Sequence, residues 1–179
     1  MQKKVLVISS SPRRGGNSDT LADRFAAGAR EAGHAVEKIS LAGKRIEFCR
    51  GCFACQRGGR CPIRDDAAEI VAKLPEADVL VFATPVYYYS VSGQLKTLLD
   101  RANPVYVMDY RFRSVYLLAA AAEDEESTVA GTQTAIQGWV DCFPQSRFAD
   151  TVFAGGVTDP GQIAGHKALE QAYRFGLNI

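Results

Sequence analysis

Lys4-Val5-Leu6-Val7-Ile8-Ser9-Ser10-Ser11-Pro12-Arg13-Arg14-Gly15-Gly16-Asn17-Ser18 is the stretch whose reading decides the fold. Lys4–Ser9 is a short aliphatic run with no polar alternation, the pattern of a strand covered by helices on both faces. The residues after it are serines, arginines, glycines and an asparagine, too polar for a second strand. From Ser18 the pattern changes to Leu21, Phe25 and Ala29, spaced four apart, and stops at Gly33, which predicts a helix from Ser18 with a glycine cap. Strand, glycine-bearing polar loop and helix thus follow one another directly.

The same alternation continues along the chain. Ala35–Ile39, Val79–Thr84, Val115–Ala121 and Thr151–Ala154 read as further strands. Between them, Asp65 and Asp66 open a helix carrying Ile70, Val71 and Leu74 that Pro75 is expected to stop. Another runs from Ser92 to Ala102 and ends at Asn103-Pro104. Two weaker patterns predict helices from Glu126 to Phe143 and from Gly161 to Phe175. Five strands and five helices in alternation, with right-handed crossovers, give a doubly wound α/β sheet of order 2-1-3-4-5. Such a sheet binds ligands beyond the carboxyl ends of its strands, where the strand order reverses. The 179 residues are expected to form a single domain, 1–179.

Twenty-one basic residues against 20 acidic ones leave a net charge of +1, which gives no reason to expect a nucleic-acid partner. Val5–Ile8 is too short for a signal-peptide core or a membrane span, so a cytoplasmic protein with no membrane partner is expected.

The first loop has the chemistry of an anion cradle. The hydroxyls of Ser9, Ser11 and Ser18, the Asn17 amide and free backbone N–H groups can all donate to phosphate oxygens, and Arg13 adds charge. Neither the glycine fingerprint of dinucleotide sites nor a Gly-Lys-Ser/Thr ending is present, which favours a monophosphate; the plainer alternative is a polar turn capped by Ser18. The third strand runs out into Pro85-Val86-Tyr87-Tyr88-Tyr89. These residues offer flat walls and donors to a planar ring such as isoalloxazine, or alternatively form a subunit-contact patch.

The first loop, together with Pro85-Val86-Tyr87-Tyr88 and Lys96-Thr97-Leu98-Leu99-Asp100-Arg101, resembles the NAD(P)H-dependent FMN reductase family of flavodoxin-like proteins. The resemblance implies a flavodoxin-like three-layer sandwich that binds FMN and takes NAD(P)H as cosubstrate. It implies Ser11, Arg13, Asn17 and Ser18 at the FMN phosphate, with Ser9 at the strand end. It places Pro85, Val86, Tyr87 and Tyr88 along the isoalloxazine, and a third contact loop near Ala121-Ala122-Glu123. FMN carries the chemistry, so no acid–base residue of the chain is assigned as catalytic. The implied function is transfer of electrons to a quinone, flavin, nitro compound or other small acceptor by a homodimer or homotetramer.

Cys49, Cys52, Cys55 and Cys61 are separated by two, two and five residues. That compact spacing suits a 4Fe–4S cluster, and it resembles the iron-sulfur flavoproteins of the same family. Free thiols acting as a redox switch and a zinc site remain as alternatives. Two further readings follow: an electron carrier with FMN and a cluster, reduced by a ferredoxin, and a non-enzymatic redox-sensing module. Cys142 is expected to be buried in a helix, His34 and His166 to be structural or exposed, and Asp100-Arg101 to serve structure.

Overall fold

The computed structural model describes Met1–Ile179. Five parallel strands, β1 (Lys4–Ser9), β2 (Ala35–Ser40), β3 (Val79–Pro85), β4 (Ser114–Ala120) and β5 (Arg147–Ala154), form one sheet in the order β2-β1-β3-β4-β5. The helices are α1 (Asn17–Glu31), α2 (Ala54–Gly58), α3 (Asp66–Lys73), α4 (Gly93–Arg101), α5 (Ala130–Val140) and α6 (Lys167–Leu177). No helix is long and apolar enough to cross a membrane.

Alternate residues of the strands feed two cores. Leu6, Ile8, Leu80, Phe82, Val115 and Leu117 face α3, α4 and α5, while Val5, Val7, Val79, Val81, Leu118 and Val152 face α1 and α6. This two-sided burial explains why β1 and β3 are continuous apolar runs in the sequence. Over the second core α1 and α6 approach one another backbone to backbone. A Cβ at Gly28 would lie 2.1 Å from the Tyr173 carbonyl oxygen, and one at Gly176 would lie 2.1 Å from that of Phe25.

The glycine cap expected for α1 is present, and several other element ends differ from the sequence expectations for local reasons. At the end of α1, Gly33 takes φ +84° and its N–H donates to Arg30 O, while the His34 N–H donates to Ala29 O, a Schellman closure. α3 ends at Lys73, ahead of Pro75 as expected, and Leu74, expected inside it, lies instead in a 3₁₀ turn over Leu74–Glu76 that holds the proline in its first positions. A second such turn, Asn103–Val107, follows α4. A third, Glu126–Val129, takes the place of the expected first turn of α5. The last helix starts at Lys167, not near Gly161, because His166 caps it: its Nδ1 accepts the Ala168 N–H at 3.1 Å. Cys142 lies just beyond α5 and is exposed, correcting the expectation of a buried helix position; its Sγ donates to Gly138 O at 3.3 Å.

Between β2 and α3 the chain makes a long excursion that carries the four clustered cysteines and the short helix α2, which the sequence did not announce. One buried ion pair closes it. The guanidinium of Arg101 donates to both carboxylate oxygens of Asp65, at 2.6 and 2.9 Å, with both side chains essentially excluded from solvent. The same guanidinium donates to Glu47 O at 2.8 Å and Ile63 O at 3.2 Å, and Asp65 accepts the Glu47 N–H at 2.7 Å. Residues on both sides of the excursion are thereby fastened to the end of α4. Burial raises the pKa of Asp65, but the hydrogen bonds from Arg101 and the Glu47 N–H outweigh it and hold the carboxyl below its usual range.

Two outcomes are expected. Gly28→Ala forces a methyl into the α1–α6 contact and lowers stability by about 1–3 kcal/mol, seen as a lower urea midpoint at unchanged slope. Arg101→Met leaves Asp65 buried without its partner and costs about 3–5 kcal/mol. Because the folded pKa of Asp65 is depressed, its stabilisation is fully present above the unfolded value of about 4 and is lost as the pH falls through the folded value. Urea midpoints measured from neutral pH downward should show this loss in the parent protein and a weaker one in Arg101→Met.

Candidate functional site

β1 pairs with β3 in the register Ser9↔Ala83, so the loops that leave their carboxyl ends start side by side. The first turns toward α1 and the second toward α4, opening a crevice between them. Buried hydroxyls tie the two loops together. The Ser92 N–H donates to Thr84 Oγ1 at 3.0 Å, Ser92 Oγ donates to Ser10 Oγ at 2.8 Å, and Ser10 Oγ donates to Ala83 O at 3.1 Å. Ser92 also caps α4 by accepting the Leu95 N–H.

A cleft of about 190 Å³ lies at this point, lined by Ser11, Pro12, Arg13, Asn17 and Ser18 on one side and Pro85, Val86 and Tyr87 on the other. Ala120, Ala121 and Ala122 from the end of β4 form its floor, and Val157 and Thr158 close the far side. Seven of the nine residues expected at a cofactor thus share one cavity. Of the expected third loop after β4, Ala121 and Ala122 line this cleft. Glu123 lies outside the wall, where it accepts from the Tyr89 hydroxyl and from Thr128 Oγ1.

Ser9 and Tyr88 are not brought to the wall. Ser9 is fully buried and its Oγ donates to Asp19 Oδ1 at 2.6 Å. Tyr88 is fully exposed at the tip of a tight turn in which Tyr87 and Ser90 exchange backbone hydrogen bonds. Tyr88 and Tyr89 take φ of +48° and +61°, a left-handed pair that usually falls to Asn or Gly and strains a tyrosine by roughly 1–3 kcal/mol. The segment after β5 was missed by the sequence reading, although Gly155-Gly156 after a strand is a turn signal. It is fastened to the first loop: Arg13 donates to Thr158 O at 2.7 Å, and Asn17 Oδ1 accepts the Ile163 N–H at 3.3 Å.

The start of α1 opens at one end of the cleft. Gly16 occupies the cap position and supplies no side-chain hydrogen bond to the first-turn N–H groups, although Asn17 and Ser18 are buried. First-turn N–H groups without a side-chain cap are left for water or a ligand to satisfy, and the helix dipole favours an anion there. Gly16 is required by crowding: a Cβ there would lie 2.7 Å from Ser11 Oγ and 3.0 Å from Arg13 O. The Ser11 hydroxyl meanwhile donates to Arg13 O at 2.7 Å, which bends the loop around the space.

All five cysteines are free thiols. Within the excursion Cys49 and Cys52 are exposed, Cys61 is half-buried and Cys55 is buried. Burial pushes the Cys55 thiol pKa up, and the neighbouring Cys61 and Cys49 add to the rise. In this arrangement no three Cys, His, Asp or Glu side chains stand together at metal-holding distances.

The family described as NADPH-dependent FMN reductase matches residues 3–139. An iron-sulfur flavoprotein of Methanocaldococcus jannaschii is 45% identical over 102 residues, 57% of this chain and 53% of that protein. One from Methanosarcina thermophila is 30% identical over 158 residues, 87% of this chain and 82% of its own. The chain spans about half the length of several such relatives. Among solved structures, the NAD(P)H:quinone oxidoreductase from Methanothermobacter marburgensis superposes with a TM-score of 0.76 at 22% identity, over 99% of this chain and 96% of that one, a likeness of fold. With the family match spanning most of the chain and the strand order and crevice of a flavodoxin-like sheet, the chain belongs to the NADPH-dependent FMN reductase family, close to its iron-sulfur flavoprotein branch.

Proposed function

We propose that the protein is an FMN-dependent NAD(P)H oxidoreductase that passes electrons to a quinone, flavin or other small acceptor. The observation that carries this reading is the buried, uncapped N-terminus of α1 opening into a cleft whose other wall is Pro85–Tyr87. The residues fit the group. The N–H groups of the first helical turn and the Ser18 hydroxyl would take the phosphate, with Ser11, Arg13 and Asn17 shaping the loop around it. Pro85, Val86 and Tyr87 would face the ring, above the small side chains of Ala120–Ala122. Bound FMN supplies the capacity to accept a hydride and release its electrons. The chain's own part is to hold and orient the flavin and to keep one face open to cosubstrate and acceptor. In this reading residues 1–179 act as one domain in the cytoplasm, as a homodimer or homotetramer.

Reconstitution tests the reading directly. The purified protein should bind FMN with quenching of flavin fluorescence and oxidise NADH or NADPH with a quinone or flavin acceptor; failure of both rejects it. Gly16→Ala, which crowds Ser11 and Arg13, should weaken FMN binding about tenfold, a loss of ~1.4 kcal/mol.

A second reading is favoured by the compact spacing of Cys49, Cys52, Cys55 and Cys61 and by the relatives named iron-sulfur flavoproteins. In it Cys49, Cys52, Cys55 and Cys61 draw together around a 4Fe–4S cluster, and the protein is an electron carrier served by a ferredoxin. Protein purified anaerobically should then show a broad iron-sulfur shoulder beneath the flavin bands, with stoichiometric iron and acid-labile sulfide, both abolished by Cys52→Ser. Flavin bands alone would reject it.

A further inference from the structure

Beneath the anion-binding loop lies an ion pair that the proposed chemistry does not use. Asp19 stands in the first turn of α1, only 7% exposed, and its two carboxylate oxygens reach back into the loop. Oδ1 accepts from Ser9 Oγ at 2.6 Å, and Oδ2 accepts from the Gly15 N–H at 3.0 Å. This resembles a capping box in which the third helical residue reaches backward to a donor ahead of the cap. From the neighbouring edge strand, β2, Lys38 brings its Nζ to 2.8 Å from Asp19 Oδ1, 3.3 Å from the Asp19 carbonyl oxygen and 2.6 Å from Asp23 Oδ1. The Lys38 side chain is itself mostly covered. Ser9, Gly15, Lys38 and Asp23 are the polar groups around this carboxylate.

The arrangement solves two problems for an anion site. Asp19 removes Ser9 Oγ–H and the Gly15 N–H from the cleft and fixes the bend of the loop, leaving the first-turn N–H groups of α1 facing the cavity. It also sets a buried negative charge in the same first turn of α1 whose N–H groups would take a phosphate. Unless that charge is cancelled it repels the ligand the loop is built to hold. Burial alone would raise the pKa of Asp19, but the hydrogen bonds from Lys38, Ser9 and Gly15 prevail and keep the carboxyl ionised. The negative charge is therefore permanent near neutral pH, and Lys38 is the cation in contact with it.

We propose that Asp19 and Lys38 are a positioning pair for the phosphate loop, Asp19 bending it and Lys38 cancelling the carboxylate, so that the site favours a phosphorylated flavin over its unphosphorylated parent. The inference rests on the flavin reading above and extends it to specificity. It predicts that Lys38 matters for the phosphate and not for the ring. Asn at position 19 keeps an acceptor for Ser9 or Gly15 without the charge, so it should offset the loss of Lys38.

The test is fluorescence titration of FMN and riboflavin against the full chain, its Lys38→Met and Asp19→Asn variants and the double variant. The ratio of the two dissociation constants is read within each protein, so a general loss of fold or of ring contacts cancels. Lys38→Met should lower the preference for FMN on the order of tenfold while riboflavin binding stays level. The double variant should recover most of the preference. An unchanged ratio in Lys38→Met, with the parent protein binding FMN, overturns the pair alone. A parent protein that binds neither flavin overturns the pair and the flavin reading together.

Discussion

A parallel strand cannot be joined to its neighbour by a tight turn, and the rest of this structure depends on that constraint. Each strand must return through a helix, and the helix lies on one face of the sheet or the other. β1 sits between β2 and β3, so the connection leaving it departs on the α1 face while the one leaving β3 departs on the α4 face. The two loops start at paired residues, Ser9 and Ala83, and diverge. A crevice there is a consequence of topology. It exists before any residue is chosen to line it.

The residues then make that crevice selective by holding buried polar groups in fixed positions. Thr84, Ser92 and Ser10 link the loops through hydroxyls that see no water. Asp19 occupies donors that would otherwise point at random, while the cap position of α1 is left to a glycine that caps nothing. A helix start left buried and uncapped costs stability in the empty protein and becomes favourable when an anion fills it. The left-handed Tyr88-Tyr89 pair is a second local cost beside the same opening. Both costs fall in or beside the cleft, where strained local geometry is the ordinary mark of a site rather than of a core.

The excursion between β2 and α3 follows a different logic. It has little apolar burial of its own, with Phe48 and Phe53 largely exposed, and its attachment rests on Arg101 and Asp65. The cysteines are therefore carried on a segment fastened at its base and held, through α2, against the turn Asn103–Val107. Three of them influence one another without converging, an arrangement that can tighten on a metal or stay open as thiols.

Much of this was legible in the chain. The apolar runs gave the strands and the spacing of Leu21, Phe25 and Ala29 gave α1, because burial imposes periodicity on consecutive residues. The serine-, arginine- and glycine-bearing loop and Pro85–Tyr88 were readable as neighbours, because a loop's chemistry is local and topology brings the two together, but Tyr88 turns away from the cleft they form. What the sequence could not show was which polar side chains face the ligand and which face each other. Ser9 looks like Ser11 in sequence, yet one is held by Asp19 and the other lines the cleft. Asp19, Lys38, Thr158 and the pairing of Arg101 with Asp65 became visible only in three dimensions. Their partners lie on other elements or across a loop bend, 145 residues away for Thr158 and 36 for Arg101, and leave no periodic trace, so only the packed sheet decides which charge meets which.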